Sequence, residues 1–206
     1  MADLSKALSA ATSAINTEIA ALNNFGKTLE ANLKPALEII IECKGHVVVT
    51  GLGKSGLVGA KIAATLASTG TPSFFLHSAD ALHGDSGALT PGDVLVAISN
   101  SGETAEVNAI AKMAKGWGNS VIAITKNDNS TLAKSADAVV SIAFDKEADP
   151  LNLAPTTSTT LTIAAGRHRA GAAGLGDLHH PRLRHVRDAG DCSPARWPGA
   201  EHGRGR

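Results

Sequence analysis

Between residues 46 and 143 the chain alternates between two patterns. Short apolar runs cover 46–50, 73–76, 94–98, 121–125 and 138–143, and stretches with helical spacing cover 57–66, 79–82, 106–115 and 131–136. Strands that are apolar throughout, without a polar face, need cover on both sides. Strands separated by helices pair in parallel. The pattern therefore predicts an α/β fold, a parallel sheet flanked by helices. Pro91-Gly92 and Asn127-Asp128-Asn129 punctuate it as turns. Ligands of such sheets bind outside the carboxyl ends of the strands, so functional residues are expected just after the apolar runs.

Two helices are expected ahead of the sheet. Over 4–30, Leu8, Ile15, Ile19, Leu22, Phe25 and Leu29 recur mostly at three- and four-residue steps, an amphipathic helix. It is too long to bury on one small domain, so an oligomer is expected. Pro35 fits the first turn of a second helix through Leu37, Ile40 and Ile41. The domain division is then 1–44, 45–166 and 167–206.

Composition narrows the function classes. Aromatic residues make up 3% of the 206, too few for stacking platforms that hold single-stranded nucleic acid. Net charge is zero, which implies no general attraction to nucleic acid or to membranes. No apolar run is long enough for a bilayer span, and the start, Met-Ala-Asp-Leu-Ser-Lys, lacks a signal pattern. Cys43 and Cys192 form no metal or redox motif. A cytoplasmic location is the expectation.

Several of the strand ends carry chemistry. After 94–98 comes Ser99-Asn100-Ser101-Gly102-Glu103-Thr104-Ala105-Glu106. Hydroxyls beside the N–H groups of a helix start suit a phosphate dianion, although the same residues also serve as ordinary helix caps. After 46–50 comes Gly51-Leu52-Gly53-Lys54-Ser55-Gly56, which fits G-x-G-x-x-G. A nicotinamide site also wants an acidic residue after the second strand, and that strand ends in Leu76-His77. A P-loop would need a glycine where Val48 stands. What remains is a glycine turn presenting Lys54 and Ser55. His77 and His83, near Asp80 and Asp85, are candidates for substrate contact, proton handling or metal. Glu147 follows the fifth run, placed for a general base or as a solvated loop charge. Thr156-Thr157-Ser158-Thr159-Thr160 is a second hydroxyl-rich helix start, in excess of what a cap needs.

Together these motifs resemble the sugar isomerase (SIS) domain, in particular its arabinose-5-phosphate isomerase branch. The elements that carry the resemblance are Gly-Leu-Gly-Lys54-Ser55-Gly, Ser-Thr-Gly70-Thr71-Pro-Ser-Phe-Phe, His77 with His83-Gly-Asp, Ser99-Asn-Ser101-Gly-Glu-Thr104-Ala-Glu106, and Lys146-Glu147-Ala-Asp-Pro through the Thr-Thr-Ser-Thr-Thr run. The resemblance implies a five-stranded parallel sheet in a Rossmann-like three-layer arrangement and a homotetramer with sites near subunit interfaces. It implies a phosphate held by Ser55, Ser99, Ser101 and Thr104, and a sugar site lined by Gly70, Thr71, His77 and His83. Lys54, Glu106 and Glu147 match catalytic positions. His83 also matches a zinc position outside the chemistry, and no cofactor is implied. The implied reaction interconverts ribulose 5-phosphate and arabinose 5-phosphate, commonly in Kdo and lipopolysaccharide synthesis. Glu106 and Glu147 both remain open as the base. A non-catalytic sugar-phosphate-binding module is the alternative.

The resemblance stops near Gly166. All 11 lysines lie in 1–166 and all 8 arginines in 167–206. The family's His-Pro-Gly-Gly element, which carries a catalytic histidine, has no counterpart, since His180-Pro181 is followed by Arg-Leu. Activity of this chain is accordingly in question. Read one base later, a choice of codons for 166–172 encodes Asp-Ala-Ile-Ala-Leu-Ala-Leu, so a shifted reading frame is one expectation for the tail. A disordered basic tail is the other.

Overall fold

A computed structural model describes residues 3–166. The expectations for 167–206 lie outside the described residues. Five parallel strands form one sheet: β1 (Val47–Gly51), β2 (Ser73–His77), β3 (Val94–Ile98), β4 (Ser120–Thr125) and β5 (Ala138–Ser141), in the order β2-β1-β3-β4-β5. The helices are α1 (Leu4–Lys27), α2 (Leu29–Glu42), α3 (Gly53–Ser68), α4 (Ser78–Leu82), α5 (Ala105–Gly116), α6 (Thr131–Ser135) and α7 (Thr157–Gly166). A short 3-10 turn spans Asp85–Ala88.

Alternate strand residues feed two cores, as the period of two requires. Val47, Val49, Val94, Val96, Ile98, Ile122 and Ile124 pack with α1, α2, α3 and α7. Val48, Leu95, Ala97, Val121 and Ala123 pack with α4, α5 and α6. Both faces are covered, which is why the strands read as unbroken apolar runs.

The N-terminal helices differ in one respect from expectation. Pro35 lies inside α2 and not in its first turn, because α2 already begins at Leu29. Leu33, Ala36 and Ile40 form one buried stripe on the sheet that spans the proline. Burial of that stripe outweighs the backbone bond that proline cannot make. In α1 only Ala21 and Phe25 are buried, while Leu4, Leu8, Ile15 and Ile19 stay exposed. The helix is longer than its own domain can cover. At the far end of α7, Leu37, Ile40, Ile62, Leu66, Ala165 and Gly166 line an apolar pocket over the sheet.

Candidate active site

From β1 the chain crosses to β2 on one side, and from β3 it crosses to β4 on the other. β1 and β3 are paired neighbours. Their carboxyl ends flank the switch point, where open α/β sheets bind ligands. The two motifs leaving these ends are the glycine turn with Lys54 and the serine-rich turn.

The serine-rich turn is built by its own hydroxyls. Ser99 Oγ accepts from the Gly102 N–H (3.0 Å) and lies 2.8 Å from Thr104 Oγ1. Ser101 Oγ accepts from the Glu103 N–H (3.2 Å). Gly102 has φ +70°, and a Cβ there would overlap Ser130 Oγ, so a side chain is excluded twice over. Thr104 occupies the N-cap position of α5 but makes no side-chain cap bond, its hydroxyl being turned to Ser99. The first N–H groups of α5 have no acceptor within the helix. A hydroxyl pair and an uncapped helix start thus meet at the switch point. Glu103 faces away: its carboxylate accepts from the Thr131 hydroxyl and N–H, which hold it below the ordinary carboxylate range.

The glycine turn is shorter than the motif suggests, because α3 starts at Gly53. Lys54 and Ser55 therefore lie in the first turn of α3, whose N-cap, Leu52, has no side chain to cap it. A Cβ on Gly56 would meet the Gly51 carbonyl at 3.1 Å, so strand and helix approach closely here. Lys54 is exposed, and no ion pair engages it among the described residues. Glu106 is half-buried in the first turn of α5. His77 ends β2, with Nδ1 3.5 Å from Asp80 Oδ2 and no hydrogen bond to that buried nitrogen. His83 is exposed at the end of α4. Among the described residues no three His, Cys, Asp or Glu side chains gather as a metal site, so His83 has no visible metal-binding company.

Glu147 is buried, with 8% of its surface exposed. Its Oε2 accepts from the Thr156 N–H (2.9 Å), the Ser158 N–H (3.0 Å) and the Thr156 hydroxyl (3.3 Å). A solvated loop charge would show none of this. Nearby Asp149 Oδ2 accepts from the N–H groups of Leu153, Ala154 and Leu151, which hold that carboxyl below its ordinary range. The hydroxyls of Thr50, Ser78, Thr157 and Ser158 are buried without a hydrogen-bond partner. Unpaired buried polar groups are uncommon, and these four lie on the last residues of β1 or on helix starts that follow β2 and β5.

Two expected site residues are not brought to this end. Gly70 and Thr71 precede β2, so they sit at the amino edge of the sheet, about 16 Å away along a five-residue strand. One basic residue outside the expected set stands at the carboxyl end. Lys126 directly follows β4, its N–H bonded to the Asn100 carbonyl (3.0 Å), and its Nζ lies 3.9 Å from the centre of the Phe144 ring. The absence of a basic residue inside the turn hid it, although the rule that site residues follow strands points to it.

The SIS domain profile matches residues 39–168. The chain belongs to the SIS-domain family. Among curated relatives, this SIS domain is 57% identical over 148 residues to arabinose 5-phosphate isomerase KpsF of Escherichia coli O6:H1, covering 71% of this chain and 45% of that one. It is 54% identical over 131 residues to arabinose 5-phosphate isomerase KdsD of Pseudomonas aeruginosa, covering 64% and 40%. The chain thus spans under half the length of these relatives. Among solved structures, E. coli CFT073 c3406 in complex with arabinose 5-phosphate superposes with TM-score 0.83 at 36% identity, over 90% of this chain and 99% of that one. Vibrio vulnificus NanR complexed with ManNAc-6P shares the fold, with TM-score 0.70 at 19% identity, over 92% of this chain and 68% of that one.

Proposed function

We propose that this SIS domain interconverts D-ribulose 5-phosphate and D-arabinose 5-phosphate as an aldose–ketose isomerase. The observation that carries the reading is the Ser99–Thr104 turn at the switch point, with its paired hydroxyls and the uncapped start of α5. Ser55, Ser99, Ser101 and Thr104 hold the phosphate by dipoles and hydroxyls. That leaves the ammonium of Lys54 for the carbonyl oxygen, where charge develops. Glu147 is the base in this reading, because its carboxylate is buried and fixed. It takes the C2 proton of arabinose 5-phosphate and returns it to C1, while the O2 hydroxyl proton passes to O1. Glu106 handles the hydroxyl protons, and His77 and His83 contact the sugar. The relatives' names and the sugar-phosphate-bound neighbour from E. coli CFT073 support this substrate.

The working form in this reading is a cytoplasmic homotetramer. The exposed apolar residues of α1 supply a contact surface. Gly70, exposed just before β2, then reaches a sugar site only from a second copy, since the site of its own chain lies at the other end of the sheet; Thr71 beside it is buried. No helix among the described residues is long and apolar enough to cross a membrane.

A second reading is a sugar-phosphate-binding module without turnover. It is favoured by the sequence having no counterpart of the family's His-Pro-Gly-Gly element, since its His180-Pro181 is followed by Arg-Leu. Proton NMR of arabinose 5-phosphate with the purified chain separates the two. New ribulose 5-phosphate signals support the isomerase. Broadened substrate lines without conversion support the binding module. Sharp, unchanged lines overturn both.

A further inference from the structure

The loop between β5 and α7 is closed by a single threonine. Thr156 immediately precedes α7, where a threonine hydroxyl ordinarily accepts from the N–H of the second or third helical residue. Here the N–H of Ser158, the second residue, is given to Glu147 Oε2 (3.0 Å). The Thr156 hydroxyl is free for other work. It accepts from the Ala148 N–H (2.8 Å) and donates to Glu147 Oε2 (3.3 Å). The Thr156 N–H donates to the same oxygen (2.9 Å). Glu147 is also held from its backbone side, its N–H donating to Asn152 Oδ1 (2.7 Å), with Asn152 at φ 55°, a region asparagine tolerates. One carboxylate oxygen therefore has three donors, and among the described residues the other has no hydrogen bond.

We propose that Thr156 is a positioning residue for Glu147: by tying Oε2 to the start of α7 and to the following amide, it leaves Oε1 as the one oxygen that meets the substrate, at a set angle. This rests on the isomerase reading with Glu147 as base. A carboxylate that must first rotate into place loses the advantage of orientation, and small misplacements of a reacting group cost about a hundredfold in rate. The arrangement also makes α7 part of the machinery, since the helix start supplies the donors that aim the base.

The test uses the full chain as wild type, Thr156→Val and Thr156→Ser, with thermal melts to establish that each is folded. Thr156→Val keeps the shape and the backbone N–H but removes the hydroxyl. The expected result is a kcat lowered by about ten- to a hundredfold with KM unchanged, and wild-type kcat restored by Thr156→Ser. An unchanged kcat in Thr156→Val, an equal loss in Thr156→Ser, or a KM that rises in step overturns the proposal. Absence of turnover in the wild type overturns the isomerase reading instead. In that case amide hydrogen exchange judges the clamp. Thr156 and Ser158 amides that exchange slowly in the wild type and fast in Glu147→Ala uphold it, and equal exchange overturns it.

Discussion

The two ends of the sheet are built to opposite rules. At the amino end, acidic and amide side chains tie neighbouring segments of backbone together. Asp93, 2% exposed, accepts from the N–H groups of His46 (2.6 Å) and Thr90 (2.7 Å) and from the Thr90 hydroxyl (2.9 Å). Asn119 donates to the carbonyls of Thr90 (2.7 Å) and Asp93 (3.1 Å), while its own Oδ1 is buried without a partner. Asp137 accepts from the Val121 N–H (2.8 Å) and pairs with Lys115. At the carboxyl end, α3 and α5 start without side-chain caps, and Thr50, Ser78, Thr157 and Ser158 keep buried hydroxyls unpaired. A polar group paired within the protein stabilises it, and one left unpaired is available to a ligand. Side chains bonded to backbone gather at one end of the strands, and uncapped helix starts with unpaired hydroxyls gather at the other.

The largest expected effect breaks the amino end. Asp93→Asn replaces a buried acceptor of three hydrogen bonds with a group that has donors of its own, and should cost about 3 kcal/mol in urea unfolding. Ligand affinity of the molecules that remain folded should be unchanged. The same carboxylates set the acid limit. Burial raises the affinity of Asp93 for a proton, but the bonds from His46 and Thr90 outweigh it, so its folded value lies below the ordinary one. For Asp137, burial likewise opposes and the bonds from Lys115 and Val121 prevail. A group that binds protons more weakly when folded adds stability above its unfolded value, about pH 4. That stability is lost as the pH falls through the depressed folded values. Thermal melts between pH 6 and 2 should show this loss, and Asp93→Asn should flatten it.

Gly102→Ala attacks the other end. With φ +70° and a Cβ that overlaps Ser130 Oγ, alanine should cost about 2 kcal/mol and abolish phosphate binding together. Ser99→Ala sharpens the contrast: affinity for the sugar phosphate, read by calorimetry, should fall about tenfold or more, with a smaller loss of stability. The smallest effect belongs to Lys115→Ala, which removes a partly exposed ion pair and should cost under about 1 kcal/mol. A large loss there would show that the amino end depends on its rim and not on Asp93.

The sequence showed the layers of the fold clearly, because each strand is apolar on both faces and each crossover has helical spacing. It also showed the serine-rich turn, whose partners lie within five residues of one another. Less visible were contacts between distant segments. Nothing near Asp93 announces His46, 47 positions earlier, and nothing near Glu147 announces that a helix start nine to eleven residues on would bind it. Pro35 was misplaced because the proline rule is local, whereas the stripe that carries α2 past it is a tertiary feature. Gly70 and Thr71 join the other motifs in the linear text, but strand direction sends them to the far edge.

The strand order also has a history in time. β1 waits for β2 and then β3, and among the described strands β5 pairs only with β4. α2, synthesised before β5, packs its Leu33, Ala36 and Ile40 into the core that contains Val140 of β5, and Asn32 Nδ2 donates to the Ser141 carbonyl (3.4 Å). A helix that precedes every described strand therefore receives part of its permanent seat from the last of those strands. Until residue 141 has emerged, an apolar helical pair travels uncovered, and pairings of such long sequence separation form slowly. Newborn chains of this architecture are expected to depend on whatever shields that pair during the wait.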